Sequence, residues 1–152
     1  MKNQPTLIAV LLTLLMACNN QPKAPVTEPI ALPAIERESA CYEYRIDKAL
    51  VLMHLDIIGD SVTGNLSYNF AEKDNNTGTL VGILKGDTLF ADYKFLSEGK
   101  ESVREVAFLR NGDKLVEGHA EAIENGSRMI FKDKSQLNFE SNVILNKIAC
   151  AE

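Results

Sequence analysis

Glu72 and Arg104 are the two charged residues of this sequence that fall on the inward register of its strands. On the alternating patterns described below, both sit on the apolar side of a strand and near the same end of the fold. A guanidinium fork can grip a carboxylate bidentately. Glu72 and Arg104 therefore read as an ion pair at one mouth, or as a polar grip on the head of an amphipathic ligand. The cysteines carry the other chemistry. Cys41 and Cys150 bracket the last 110 or so residues, with no cysteine between them, and Cys18 stands apart. No histidine lies close to Cys41 or Cys150 along the chain, so a metal pair there would be short of ligands. In an exported chain the expectation is a Cys41–Cys150 disulfide. Closing so long a loop stabilises by about 4–5 kcal/mol in the chain-entropy model.

Other groupings carry less. "EKDNNTGT", residues 72–79, places Asp74, Asn76 and Gly78 in an oxygen-rich stretch. A calcium loop starting at Asp74 requires glycine at its sixth place and glutamate at its twelfth, where this chain has Thr79 and Lys85. "SEGKESVRE", residues 97–105, holds Glu98 and Glu101 beside Gly99, a pattern of solvated charge at a loop tip. His54 and His119 both fall on outward positions. No nucleophile has a base at useful spacing and no glycine loop is built to cradle phosphate. The expectation is a protein without catalytic residues, cofactor or metal.

The elements that must position these residues are strands. Val62, Gly64, Leu66, Tyr68 and Phe70 alternate with Thr63, Asn65, Ser67 and Asn69, the period of a strand with one buried face. Gly59-Asp60, Gly86-Asp87, Asn111-Gly112 and Asn125-Gly126 are hairpin dipeptides. A two-residue turn at Gly86-Asp87 sets Leu84, Gly82 and Leu80 against Leu89, Ala91 and Tyr93. A four-residue tip at 98–101 sets Phe95 against Arg104, Tyr93 against Val106 and Lys94 against Glu105. A three-residue loop at Asn111-Gly112-Asp113 sets Phe108 against Val116 and Val106 against Gly118, which turns Glu117 outward. Across Asn125-Gly126, Ala120 and Ala122 meet Phe131 and Met129.

Eight to ten consecutive antiparallel strands follow, in an all-β up-and-down meander with one apolar face. Such a ribbon curls and closes into a barrel of the lipocalin-like kind. The small inward residues Gly64, Gly82, Gly118, Ala91, Ala120 and Ala122 relieve Tyr93, Phe95, Phe108 and Phe131 in its interior. A bridge between Cys41 and Cys150 would then rivet the seam between first and last strands. The stretch Asp133–Asn142 has the weakest strand pattern. The polar outer face, with Asp92, Lys94, Glu105, Glu117 and Glu121, argues against a barrel whose outside meets lipid.

The first forty residues have a separate logic. Lys2 precedes an apolar run from Leu7 to Ala17, far shorter than the about twenty residues that span a bilayer. The run ends in Leu15-Met16-Ala17-Cys18, which resembles the lipobox of bacterial lipoproteins, although Met16 replaces the usual small or hydroxyl residue. The resemblance covers about twenty residues. It implies cleavage before Cys18, fatty acylation (palmitate among the chains) of that cysteine and a permanent membrane anchor, since several chains hold where one does not. Asn19 and Asn20, with no aspartate behind the cysteine, imply the outer membrane, on its periplasmic or outward side. Four of five prolines, Pro22, Pro25, Pro29 and Pro33, make the following stretch an extended spacer. The expected organisation is a signal peptide over 1–17, acylated Cys18 with a tether over 18–40, and a barrel over 41–150.

The net charge is −5, and removal of residues 1–17 takes away Lys2 to leave −6. Nucleic acid and anionic headgroups are poor partners for such a surface. The expected function is that of a non-catalytic envelope lipoprotein whose barrel binds a small hydrophobic or amphipathic ligand. The alternative is a solid-cored structural module that meets an envelope protein partner.

Overall fold

The computed structural model describes residues 35–70, 75–97 and 99–151. The signal peptide, Cys18, the tether up to residue 34, Glu72 and Glu98 lie outside them. Ten strands occur among the described residues: β1 (Arg37–Ile46), β2 (Ala49–Ile58), β3 (Ser61–Asn69), β4 (Asn76–Lys85), β5 (Thr88–Ser97), β6 (Lys100–Asn111), β7 (Lys114–Gly118), β8 (Ala122–Asn125), β9 (Arg128–Phe131) and β10 (Ile144–Ile148). β1 begins at Arg37, four residues before Cys41, and its Ala40 is buried. The barrel thus takes in the end of what the sequence assigns to the tether, because Ala40 supplies one more inward apolar position.

Strands β1 to β7 pair each with the next, β7 pairs with β10, and β10 pairs with β1, all antiparallel. The result is a closed eight-stranded barrel, the all-β meander that the alternation predicts. Closure leaves these eight strands no free edge. The apolar face is inside: Tyr93, Phe108, Leu66, Leu80, Leu89, Leu115 and Leu145 are fully buried there. Adjacent strands approach so closely at Gly82 that an added Cβ would overlap the Phe90 carbonyl oxygen and lie 2.6 Å from the Ala91 Cβ. Only glycine permits that approach.

The register at Gly86-Asp87 is the expected one, with Leu84 against Leu89, Gly82 against Ala91 and Leu80 against Tyr93. At the next hairpin Ser97 pairs with Lys100, which places Tyr93, not Phe95, against Arg104 and Phe95 against Ser102. The two-residue offset preserves the inward face. Lys94 consequently meets Glu101, at 2.9 Å, instead of Glu105. At the β6–β7 turn the offset is one residue. Asn111 pairs with Lys114 across Gly112-Asp113, and Phe108 faces Glu117. A one-residue slip exchanges the two faces of a strand, so Leu115 and Glu117 point inward where Val116 and Gly118 were expected.

At the seam, Cys41 of β1 stands against Ile148 of β10. Cys41 and Cys150 form a disulfide with Cα atoms 5.2 Å apart, closing a separation of 109 residues. β8 and β9 are an excursion outside the ring. They form a hairpin in which Ala122, not Ala120, faces Phe131, and β9 lies parallel to β6 at Val103 and Arg104. Ala122 and Met129 are exposed there, because the hairpin leaves the barrel interior. The stretch Asp133–Asn142 adds no barrel strand. It contains one turn of 3-10 helix, Lys134–Gln136, and a bridge from His119 to Asn138. Phe139 packs on Gly118, where a Cβ would lie 2.5 Å from the ring. Glu105 ties the excursion down: its Oε2 accepts from the Phe131 amide at 3.1 Å and its Oε1 meets Lys134 Nζ at 2.6 Å.

Candidate functional site

The inward alternation of β3, β5, β6 and β7 brings polar groups together at one end of the barrel. Tyr68 lies near the end of β3, Tyr93 and Phe95 on β5, Arg104 on β6 and Glu117 on β7. Arg104 reaches the mouth that the sequence assigns to it. Glu72 lies outside the described residues, and the carboxylate that the barrel delivers to this end is Glu117.

Aromatic rings surround the guanidinium. The Arg104 Cζ stands 5.1 Å from the Tyr68 ring centre, 5.5 Å from that of Tyr93 and 5.7 Å from that of Phe95. Tyr93 and Phe95 stack with centroids 4.7 Å apart, and Tyr68 meets Tyr93 edge-on at 5.9 Å. Ring faces attract a cation most strongly when water is excluded. The rings thus hold Arg104 in place from one side. Its Nε is buried without a hydrogen-bond partner among the described residues, and so is the Tyr93 hydroxyl.

Glu117 is 8% exposed, the one charged residue classed with the core of the described residues. The Tyr68 hydroxyl donates to its Oε1 at 2.7 Å. Burial, then the adjacent Glu117 carboxylate, pushes the Tyr68 phenol well above its ordinary pKa. Burial also pushes Tyr93 up to about 12, against the opposing pull of Arg104. Both phenols are therefore neutral donors across the physiological range.

A half-open cavity of about 280 Å³ lies against this group, lined by Arg104, Glu117, Val106, His119, Met129 and Phe131 among others. The β8–β9 excursion provides the Met129 and Phe131 side of the wall. A cation, a carboxylate and an apolar rim thus converge on one small space, with the Tyr93 ring beneath the cation. That combination can orient a small molecule by its head group while an apolar part packs on the rim.

Glu117 escaped the reading of the sequence because apolar residues at 116 and 118 made the opposite register look better. The signal was present in the turn: two residues at Gly112-Asp113 put Leu115 inward, and Glu117 with it. His54 lies against Asn65 on the outer face, as its alternation requires. His119 is exposed and its Nε2 lies 3.3 Å from the Ser141 hydroxyl. No family model matches this chain, and no curated protein or solved structure matches it at a significant level.

Proposed function

We propose that this chain is a lipid-anchored envelope protein, held through Cys18, whose barrel captures a small amphipathic ligand by its anionic head at the Arg104–Glu117 mouth, without catalysis. The observation that carries the reading is the convergence of Arg104, Glu117 and the apolar Val106, Met129 and Phe131 on one cavity of about 280 Å³. A carboxylate head would pair with the terminal nitrogens of the guanidinium, a charge-assisted hydrogen bond worth about 1.5–3 kcal/mol. The cavity size matches a short-chain carboxylate rather than a bulky lipid.

The buried aromatic core favours a second reading. Behind the mouth Tyr93 and Phe108 are buried completely, which suits a rigid module presented to an envelope partner.

Calorimetric titration with a short-chain fatty acid separates the two. The ligand reading expects saturable binding that Arg104→Ala weakens by roughly 10- to 100-fold, the value of a charge-assisted hydrogen bond. An Arg104→Ala variant that only melts earlier, with no binding by the parent chain, leaves the solid module standing. Mass measurement on protein from its own host tests the anchor directly: acyl chains on Cys18 support it, and an unmodified Cys18 removes it.

A further inference from the structure

Cys41 lies directly across from His54 in the β1–β2 pairing, and both face outward. Cys150 joins them through the disulfide. One ligand atom from each of Cys41, His54 and Cys150 lies within 4.8 Å of the other two. The imidazole is steadied from its own face: Ser39 Oγ lies 2.9 Å from Nε2 and Asp56 Oδ1 lies 3.7 Å from it. Cys41 and His54 line a cavity of about 270 Å³ whose other walls include Leu52, Ile148 and Ala149. Cys150 is exposed, whereas Cys41 and His54 are half-buried.

The geometry points to a redox-gated metal site: with the Cys41–Cys150 bridge reduced, the two sulfurs and His54 form a three-ligand Cys2His centre for a thiophilic cation of the zinc class, with its fourth position open. Two thiolates and one imidazole are the donor set that such cations select. Three protein ligands with one vacant position is the arrangement of open zinc sites. Thiolates bound to one zinc sit about 2.3 Å from the metal, so the sulfurs need only separate by side-chain rotation. The backbone already holds the Cys41 and Cys150 Cα atoms 5.2 Å apart.

Opening the site takes two electrons and two protons from a dithiol. The dithiol attacks one sulfur, passes through a mixed disulfide and leaves as its own disulfide. Cys41 and Cys150 become thiols, and the cation then displaces their two protons to solvent. The oxidised form has no thiolate to offer and does not bind. The seam is thus stapled by sulfur in one redox state and by metal in the other. This inference is independent of any ligand at the Arg104 mouth.

The test uses the full chain, reduced by a dithiol that is then removed anaerobically, and titrated with Co2+ as the spectroscopic stand-in for Zn2+. Expected are thiolate-to-cobalt charge-transfer bands at one equivalent, displaced by Zn2+, absent from the oxidised chain and from Cys41→Ser. His54→Ala should weaken binding by about tenfold or more, since even outer partners of a ligand are worth 10- to 100-fold. Circular dichroism follows the fold in parallel. A reduced chain that keeps its β spectrum and shows no thiolate–cobalt bands overturns the inference. So does a His54→Ala chain that binds as tightly as the parent, or a reduced chain that unfolds and is not restored by Zn2+.

Discussion

The Tyr68 hydroxyl and the Glu117 carboxylate meet at 2.7 Å inside the barrel, although 49 residues separate them along the chain. β3 and β7 are not hydrogen-bonded neighbours. The bond therefore crosses the interior and ties two parts of the wall together. It also answers the question of how a carboxylate is tolerated in that position. A buried charge is costly unless it is hydrogen-bonded.

Removing the donor should be worse than removing both partners. Tyr68→Phe is expected to lower unfolding free energy by about 1–3 kcal/mol, because Glu117 loses its phenol. Tyr68→Phe combined with Glu117→Leu should cost less than the sum of the single changes. Urea unfolding of the four chains of this double-mutant cycle gives the coupling directly; strict additivity would contradict the bond.

Stability should fall at alkaline pH through the tyrosines. Burial raises Tyr68 well above its ordinary value and Tyr93 to about 12. In the unfolded chain phenols ionise near 10. The folded state therefore holds their protons longer than the unfolded state. The stabilisation from the neutral phenols is complete below about pH 10 and is lost as pH rises towards and through the folded values. Urea midpoints measured from pH 8 upward should drop above about pH 10. Tyr93→Phe should flatten part of that drop.

The excursion over 119–143 should be separable from the barrel. Glu105 holds it through the Phe131 amide at 3.1 Å and Lys134 at 2.6 Å, and its side chain is only 11% exposed. Arg128 adds an ion pair to Asp92. Glu105→Ala is expected to speed hydrogen exchange at the Phe131 amide while β2–β5 amides keep their protection. Global loss of protection would mean that the excursion is part of the cooperative unit.

Close approach at Gly82 gives a further test. Gly82→Ala must push β5 away from β4, since the Cβ overlaps the Phe90 carbonyl. Overpacking of this kind costs about 1–3 kcal/mol. Gly86→Ala meets nothing within 4 Å but has φ +59°, so it should cost about 1–2 kcal/mol through the backbone alone. Thermal melts of the two variants, paired with near-ultraviolet circular dichroism of the aromatic core, distinguish them. Only Gly82→Ala should alter the Tyr93 environment.

The sequence by itself determined the meander and the sidedness of most strands. Alternation at 62–70 and the turn at Gly86-Asp87 act over a few residues, and a strand has only two faces to choose between. Even the hairpin before β6, offset by two residues, kept Tyr93 and Arg104 inside for that reason. Bracketing cysteines also sufficed to foretell the sealed seam. Three features were decided by the tertiary structure alone. The turn at Gly112-Asp113 points Glu117 inward, but the partner that makes a carboxylate tolerable there, Tyr68, arrives from the far side of the barrel. The 119–143 excursion has strand-like stretches whose place outside the ring depends on Glu105 and on Phe139 against Gly118. His54 joins Cys41 and Cys150 because β1, β2 and the chain after β10 converge at the seam. In each case the deciding partner lies far along the chain, and local patterns carry no information about which distant group will meet which.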